Sequence, residues 1–297
     1  MESVLVIGAG YMGTGIAQVC AQAGYQVHLM DVKPEALKRA EDEVQWSLQN
    51  LHSKGKLSEN PGAVLERVKT EDNMKSAATA TWVIETAFEI ESLKKDIFEE
   101  LDRLALPETP LASNTSTIPI HRIAKATKHP ERVLGLHFFP PVPLMGLIEV
   151  IKGKDTSDQI FERGVDFGRS VGKRPIRVLK DIPGFVMNRI WISLIREAVD
   201  LVAEGIATPD DVDVGMQLGF GFKRGPFEMA DHAGVDTYAL GARSMKALGA
   251  KYLAPRSDLL DRMVKEGRLG KKVGKGFYRY TADGKRMLWD EKEPNKS

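Results

Sequence analysis

The sequence predicts an α/β fold in which a doubly wound sheet with a helical hairpin insertion is followed by an all-α C-terminal domain. Three observations predict this fold. Short apolar runs alternate with helical patterns until about residue 180, a glycine-rich turn joins the first run to the first helix, and only helical patterns follow residue 184. We therefore expect two domains, residues 1–182 and residues 183–297.

The chain begins with a strand, a helix and a second strand. Residues 4–7 form a continuous apolar run, a helix of small residues ends at Gly24, and residues 27–30 form another apolar run. Continuous apolar runs are typical of buried strands in parallel sheets. Pro34 then opens a long helix whose apolar residues recur every three or four positions up to Leu51. After a break at residues 54–56, a second helical stretch over about residues 61–68 completes the expected hairpin.

The remaining elements continue the alternation. Strands are expected at about residues 82–85, 110–113, 133–138, 147–151 and 175–179, with helices at about 91–105 and 156–171. This order is typical of a doubly wound sheet. In the second domain we expect a helix over residues 185–204 with Gly205 as its stop, and Thr208 as the cap of a helix that begins at Pro209.

The composition is that of an ordinary globular protein. Of 297 residues, 42% are hydrophobic and 28% are charged, and 42 Lys and Arg against 41 Asp and Glu leave a formal charge of +1. The balanced charge argues against a nucleic-acid partner, and no run approaches the roughly 18 apolar residues that a membrane span needs. Cys20 is the only cysteine, so we expect no disulfide and no metal site. We expect a cytoplasmic protein, because no leader pattern precedes the first strand.

The glycine-rich turn at residues 8–13 reads Gly-Ala-Gly-Tyr-Met-Gly and lies between the first strand and the first helix. In this context the first glycine permits the tight turn, the second lets a pyrophosphate approach the backbone, and the third lets helix and strand pack closely. Asp31 ends the second strand, where a carboxylate accepts ribose hydroxyls of NAD and repels the phosphate of NADP. The motif favours a Rossmann-type NAD site over a structural glycine turn, and nearby Lys33 leaves NADP as the less favoured alternative.

Residues 133–151 place one histidine and one carboxylate, His137 and Glu149, in two apolar runs joined by a proline-rich turn. If the runs pair as antiparallel strands, the turn brings the two side chains together. A carboxylate on one imidazole nitrogen leaves the other nitrogen free to take a proton, which is the arrangement of an acid/base pair. A structural ion pair in the core is the alternative interpretation.

Seven segments carry a family resemblance. In chain order they are GAGYMGTGIA at 8–17, SNTSTIP at 113–119, GLHFFPPVP at 135–143, IEVIKG at 148–153, DIPGFVMNRI at 181–190, GPFEMADHAGVD at 225–236 and GKKVGKGFYRY at 270–280. With them the chain resembles the 3-hydroxyacyl-CoA dehydrogenases over nearly its whole length. The resemblance implies NAD-dependent, reversible oxidation of L-3-hydroxyacyl-CoA to 3-ketoacyl-CoA, with a short substrate such as 3-hydroxybutyryl-CoA. It also implies a homodimer formed by the helical domain.

The resemblance assigns roles to individual residues. It implies that His137 is the general base, that Glu149 orients it, and that Ser116 and Asn188 contact the substrate oxygen region. From the residues alone, Ser116 could instead cap the following helix, and Asn188 could be a buried amide bonded to the backbone. Asp231 is expected to be structural and to hold a helix end or a turn.

The resemblance also implies two sets of binding residues. Those for the cofactor are Gly8, Gly10, Tyr11, Met12, Gly13, Asp31, Glu89, Lys94, Ser116 and Lys272. Those for the CoA substrate are Ser47, Lys54, Ser116 and Asn188. The ammonium of Lys54 could meet a CoA phosphate, although exposed lysines on helices are usually only solvated. Two rival functions remain: a CoA-independent hydroxy-acid or sugar-acid dehydrogenase of the same superfamily, and a non-catalytic NAD-binding protein.

The chain departs from the family pattern in the turn between His137 and Glu149. Pro140 stands where the family usually has Asn, and Gly146 stands where it commonly has Lys. We expect these changes to reshape the pocket near the acyl chain or the nicotinamide, because proline offers no polar side chain and no N–H group. The variant Pro140→Asn is therefore predicted to change NADH affinity or chain-length preference. Steady-state kinetics with acyl-CoAs of several lengths tests this, and identical constants for both proteins would refute it.

Overall fold

The computed structural model describes residues 2–254 and 256–289. It divides into two compact units, Met1–Phe185 and Val186–Ser297. No helix of the described residues is both long and apolar enough to cross a membrane.

The described residues of the first unit form eight strands and six α-helices. The strands are β1 (Ser3–Ile7), β2 (Gln26–Met30), β3 (Val68–Glu71), β4 (Trp82–Glu85), β5 (Leu111–Ser113), β6 (Val133–Phe138), β7 (Leu147–Ile151) and β8 (Arg174–Val178). The helices are α1 (Tyr11–Gln22), α2 (Pro34–Ser53), α3 (Pro61–Leu65), α4 (Glu91–Leu104), α5 (Ile120–Ala124) and α6 (Asp158–Ser170).

All eight strands form one sheet in the order β3-β2-β1-β4-β5-β6-β7-β8. Strands β1 to β6 run parallel, β7 is antiparallel to β6, and β8 is parallel to β7. The first six strands have the doubly wound order, in which the chain reverses its winding direction between β1 and β4. A crevice outside the carboxyl ends of those strands is the usual ligand site of such sheets. The predicted fold class is confirmed.

The hairpin insertion is shorter than the sequence pattern indicated. Helix α3 ends at Leu65 rather than near residue 68, and Val68 begins strand β3, which pairs with Val27 of β2. Asn60 fixes the start of α3 by accepting the N–H of Gly62 at 2.8 Å. The expectation was wrong here because β3, an edge strand of sequence Val-Lys-Thr-Glu, is mostly polar and lacks a continuous apolar run.

One apolar cluster of the first unit packs on one face of the sheet, and Leu5, Val83 and Leu111 are buried outside it. Val4 and Val6 of β1 pack in it with Ile16 of α1, Val44 of α2 and Val165 of α6, all of them buried. Burying such side chains provides the main favourable free energy of folding, about 25 cal/mol per Å² of apolar surface. The cluster fixes α1, and with it the glycine-rich turn, against the sheet.

The second unit is built from α7 (Met187–Ala203), α8 (Pro209–Phe220), α9 (Pro226–Ala233), α10 (Val235–Ala247) and α11 (Leu259–Lys265). Thr208 caps α8 as predicted, in a reciprocal capping box with Asp211. A short antiparallel pair, β9 (Arg279–Tyr280) and β10 (Arg286–Met287), was not expected from the sequence. Strands of two residues are too short to show an apolar alternation.

Asp231 has the structural role predicted for it. Its carboxylate accepts the main-chain N–H groups of Phe277 and Tyr278 at 2.8 and 2.9 Å, and it thereby holds the turn that leads into β9. Burial raises the pKa of Asp231 above its ordinary value, although these hydrogen bonds act in the opposite direction. Only glycine fits at position 276, since a Cβ atom there would lie 2.0 Å from Asp231 Oδ1.

Candidate active site

His137 and Glu149 lie directly opposite each other on the antiparallel strands β6 and β7. Directly opposed residues in such a pair project their side chains to the same face of the sheet. His137 Nδ1 is 2.7 Å from Glu149 Oε2, and the two side chains are 7% and 0% exposed. The antiparallel pairing expected from the sequence is confirmed. The hydrogen bond occupies Nδ1, so Nε2 is the nitrogen that can exchange a proton with a ligand.

Two aromatic rings flank the imidazole of His137. The ring centroid of Phe139 lies 4.6 Å from that of His137, and the centroid of Phe185 lies 5.9 Å away. Phe185 is fully buried and has φ of 50°, a left-handed conformation that is uncommon for residues other than glycine. Packing against two rings restricts rotation of the imidazole and keeps water from its faces. Neither phenylalanine was predicted from the sequence to belong to the site.

The loop after β5 is held close to the carboxyl end of β6. The side-chain oxygen of Asn114 accepts the N–H of Phe138 at 2.8 Å, which ties this loop to the residue after His137. Ser116 follows in the same loop, and its N–H donates to Glu89 Oε1 at 3.1 Å. The first N–H groups of α5 donate to Asp181, not to a side chain of this loop. The interpretation of Ser116 as the cap of that helix is therefore wrong.

Glu89 organises the Ser116 loop through one carboxylate oxygen. Glu89 Oε1 accepts hydrogen bonds from the hydroxyl of Thr115 and from both the N–H and the hydroxyl of Thr117, besides that of Ser116. Burial acts to raise the pKa of Glu89, but the charge of Lys94 and the hydroxyl and N–H donors outweigh it and hold the pKa below its ordinary value. Glu89 is therefore a fixed anion beside the loop.

Lys94 lies beneath Glu89 as a buried counter-ion. Its Nζ is 2.7 Å from Glu85 Oε1 and 3.5 Å from Glu89 Oε2, and its side chain is 1% exposed. Glu85 also accepts the hydroxyl of Ser113 at 2.6 Å, so the cluster links the carboxyl ends of β4 and β5. The structure thus gives Lys94 two carboxylate partners, and direct contact with a cofactor stays a prediction. Glu85 and Ser113 were missed, although both end a strand at the edge where ligands bind.

The glycine-rich turn has the shape that a dinucleotide requires. Gly8 has φ of 100°, and a Cβ atom on Gly13 would lie 1.8 Å from the carbonyl oxygen of Gly8. Helix α1 starts after Gly10 without a side-chain cap, which leaves its first N–H groups directed at the space where a phosphate binds. A Cβ atom on Gly10 would meet no atom within 4 Å. These residues fit NAD.

Three other predicted cofactor residues adjoin this turn. Asp31, at the end of β2, accepts the N–H of Ala9 at 2.8 Å and the N–H of Lys33 at 3.0 Å, so it holds the turn while remaining half-exposed. Tyr11 and Met12 open helix α1, and Tyr11 is 64% exposed. The structure therefore brings together all of the residues predicted from the motif itself.

A cavity of about 690 Å³ lies between α1, α2 and the turn that joins β6 to β7. Ser47 and Lys54, both predicted to bind CoA, line it together with Lys56. The exposed indole of Trp46 and the proline-rich segment 141–144 line it too. The cavity therefore combines cationic and apolar walls with one carboxylate, that of Glu43.

Two predicted site residues belong to the second unit. Asn188 is the second residue of α7 and is half-buried. Lys272 Nζ lies 2.6 Å from both carboxylate oxygens of Asp236 in the same unit. Their contacts with substrate and cofactor stay predictions.

The fold and the glycine-rich turn define an NAD-dependent oxidoreductase with a buried His–Glu pair beside its nucleotide crevice. Family models assign the two parts of the chain: "3-hydroxyacyl-CoA dehydrogenase, NAD binding domain" matches residues 3–182, and "3-hydroxyacyl-CoA dehydrogenase, C-terminal domain" matches residues 184–280. The chain belongs to the 3-hydroxyacyl-CoA dehydrogenase family. The resemblance seen in the sequence and the expected NAD cofactor are both confirmed.

Individual relatives match along almost the whole chain. A probable 3-hydroxybutyryl-CoA dehydrogenase of Deinococcus radiodurans is 43% identical over 276 residues, which cover 93% of this chain and 99% of the relative. The mitochondrial hydroxyacyl-coenzyme A dehydrogenase of Rattus norvegicus is 40% identical, with 94% and 91% covered. Among solved structures, the (S)-3-hydroxybutyryl-CoA dehydrogenase of Ralstonia eutropha superposes with a TM-score of 0.89 at 37% identity, covering 95% of this chain and 99% of that one.

Two glycine variants should separate the folding role of the turn from its binding role. Gly13→Ala is expected to lower the free energy of unfolding by about 3 kcal/mol or more, because its methyl group would overlap the Gly8 carbonyl oxygen. Gly10→Ala is expected to keep the melting temperature and to weaken NADH binding, because its methyl group occupies only the space left for the pyrophosphate. Thermal unfolding and NADH titration of both variants measure this. Unchanged NADH affinity in Gly10→Ala would contradict the assignment of the site.

Proposed function

We propose that this protein catalyses the reversible, NAD-dependent oxidation of L-3-hydroxyacyl-CoA to 3-ketoacyl-CoA, with short substrates such as 3-hydroxybutyryl-CoA favoured. The observation that carries the proposal is the buried 2.7 Å hydrogen bond between His137 and Glu149 beside a dinucleotide crevice. The names of the relatives, which include 3-hydroxybutyryl-CoA dehydrogenases, support the substrate class.

The proposed reaction uses His137 as the base. In the oxidative direction the proton of the 3-hydroxyl group passes to His137 Nε2 while C3 gives up a hydride and becomes the carbonyl carbon. NAD, when bound, accepts this hydride. The carboxylate of Glu149 stabilises the imidazolium that forms, because the two groups are opposite charges in direct contact within a buried environment. In the reductive direction the imidazolium returns the proton to the oxygen at C3.

Glu149 also fixes which nitrogen of His137 carries the proton. Its Oε2 accepts from Nδ1–H, so the neutral imidazole presents an unprotonated Nε2 to the substrate. Ser116 and Asn188 are proposed to contact the substrate oxygen region. The tether from the Ser116 N–H to Glu89 supports this role for Ser116, since it holds the loop near the end of β6.

The cavity beside α2 is proposed to receive the CoA portion of the substrate. Ammonium groups of Lys54 and Lys56 provide charge for the 3'-phosphate or pyrophosphate, and Ser47 provides a hydroxyl group. The indole of Trp46 is 68% exposed at this cavity, which gives the adenine an aromatic surface. A free hydroxy acid would use none of these features.

A screen with purified protein tests the function. We expect oxidation of NADH by acetoacetyl-CoA, with weaker activity on longer 3-ketoacyl-CoAs and with NADPH. His137→Gln is expected to lower kcat by about 10²-fold to 10⁴-fold, the usual contribution of a general base, without loss of NADH binding. Full activity of His137→Gln would refute the mechanism, and absence of turnover with every 3-ketoacyl-CoA and hydroxy acid would favour a binding protein.

The variant Lys54→Ala tests whether the substrate is a CoA thioester or a free acid. It is expected to raise KM for a CoA thioester and to leave KM for NADH unchanged, because only the thioester places a phosphate near the ammonium group. If the physiological substrate is a free hydroxy acid, the variant should behave like the wild type with that acid.

We further propose that the protein is a homodimer formed by its helical unit. Val214 and Leu218 lie four residues apart on α8 and therefore on the same side of the helix, and Phe220 and Phe222 follow at its end. We name these four exposed apolar side chains the α8 patch. Leu218 and Phe220 are 84% and 76% exposed. Single exposed apolar side chains are common on protein surfaces, whereas several close together mark interaction sites. A second copy of the chain would bury this patch.

The variant Leu218→Glu is expected to convert the dimer to a monomer, because it places a charge in the centre of a buried apolar contact. Sedimentation velocity measures the change. Leu179→Glu is the control, since Leu179 is a similarly exposed leucine of the first unit, at 67%. A monomeric wild type, or a dimeric Leu218→Glu variant, would contradict the proposed interface.

The compartment and pathway are also proposals. A single buried Cys20 suits a reducing, cytoplasmic environment, and the proposed reaction is one step of fatty acid β-oxidation. Cell fractionation followed by the acetoacetyl-CoA assay tests the location.

A further inference from the structure

The turn between β6 and β7, residues 139–146, forms one wall of the cavity proposed to bind CoA. Residues 141–144 line it directly. The turn follows the strand that carries His137 and precedes the strand that carries Glu149. Residues between paired strands have no partners in the ladder, so other groups must fix the turn.

Lys173 provides two of these contacts. Its Nζ donates to the carbonyl oxygens of Val142 and Met145 at 2.6 and 2.8 Å. Lys173 lies between α6 and β8, 31 positions after Val142 in the sequence. The next residue adds a main-chain bond, in which the N–H of Arg174 donates to the carbonyl oxygen of Gly146 at 2.6 Å. We name this set of three bonds the turn clamp.

Lys173 is half-buried and lies beside Cys20 of α1. Burial lowers the pKa of Lys173 below its ordinary value. Cys20 is fully buried, and burial raises the pKa of its thiol far above neutrality, so it is a neutral neighbour. Both acceptors of Lys173 Nζ that the structure shows are main-chain carbonyl oxygens. Their positions therefore depend on the conformation of the turn rather than on a mobile side chain.

The turn is pressed against α1 on its other side. Val142 is 2% exposed, and a Cβ atom at Gly15 of α1 would lie 2.9 Å from Val142 Cβ. Gly15 and Thr14 line the same cavity as the turn. Any displacement of the turn from α1 therefore changes the width of the cavity.

We infer that Lys173 is a positioning residue for the acyl-CoA substrate, acting through the turn clamp to set the shape of the cavity wall at residues 141–144. The substrate in this inference rests on the proposed function, whereas the clamp itself does not. Lys173 does not touch the reacting atoms, so its loss should affect binding of the thioester more than the chemical step.

Kinetics of Lys173→Met test the effect on substrate. The variant keeps most of the apolar stem but removes a charged donor to two carbonyls, so KM for acetoacetyl-CoA should rise about tenfold, with kcat and KM for NADH unchanged. Lys173→Arg, which retains a cation with several donors, should restore most of the affinity. Arg174→Met is the matched control: the side chain is exposed, and the variant keeps the main-chain bond to Gly146.

Hydrogen–deuterium exchange tests the clamp without any substrate. Lys173→Met should speed exchange of the Leu144 and Met145 amides, which donate to Pro141 within the turn, while Arg174→Met should not. Unchanged exchange in Lys173→Met overturns the clamp. Faster exchange with an unchanged KM overturns its role in substrate binding. If the wild type shows no turnover of any acyl-CoA, the proposed function and the substrate role fail, while the exchange result still decides the clamp.

Discussion

The hydrogen bond between His137 Nδ1 and Glu149 Oε2 exists because one strand of the sheet runs against its neighbour. In the parallel part of the sheet, side chains that end neighbouring strands meet only at the carboxyl edge. Strand β7 reverses direction, and this brings Glu149 from within its strand to a position directly opposite His137. A slip of one residue in this pairing would turn Glu149 to the other face. The register of β6 and β7 is thus the constraint on which the proposed proton transfer depends.

The charges around the cofactor crevice depend on a second buried arrangement. Lys94 places one ammonium group between the carboxylates of Glu85 and Glu89. Removing one member of such a buried set leaves an uncompensated charge, which costs about 3–5 kcal/mol. Glu89 also accepts the N–H of Ser116. The ion cluster is therefore joined by hydrogen bonds to the loop proposed to contact the substrate. Contacts between protein groups therefore fix this side of the crevice.

The elements with continuous apolar runs could be predicted from the sequence. Strands β4, β6 and β7 have the expected bounds. The glycine-rich turn and Asp31 could be recognised because their spacing in the sequence is itself the signature of a dinucleotide site. Strand β3 could not be recognised, because three of its four residues are polar and it lacks an apolar run. Likewise Asn114, Glu85 and Lys173 act through partners brought close by tertiary structure, which are 24, 28 and 31 positions away in sequence. No local pattern signals such contacts.

Strand β8 closes one side of the sheet, and its composition has a consequence for assembly. An edge strand offers unpaired N–H and C=O groups to which a strand of another molecule can add. Pro175 of β8 has no N–H group to donate, and the neighbouring Arg174 and Arg177 are exposed cations. These features disfavour growth of a continuous intermolecular sheet from the β8 edge. In the dimer proposed above, contact through helical surfaces leaves the nucleotide-binding sheet within a single molecule.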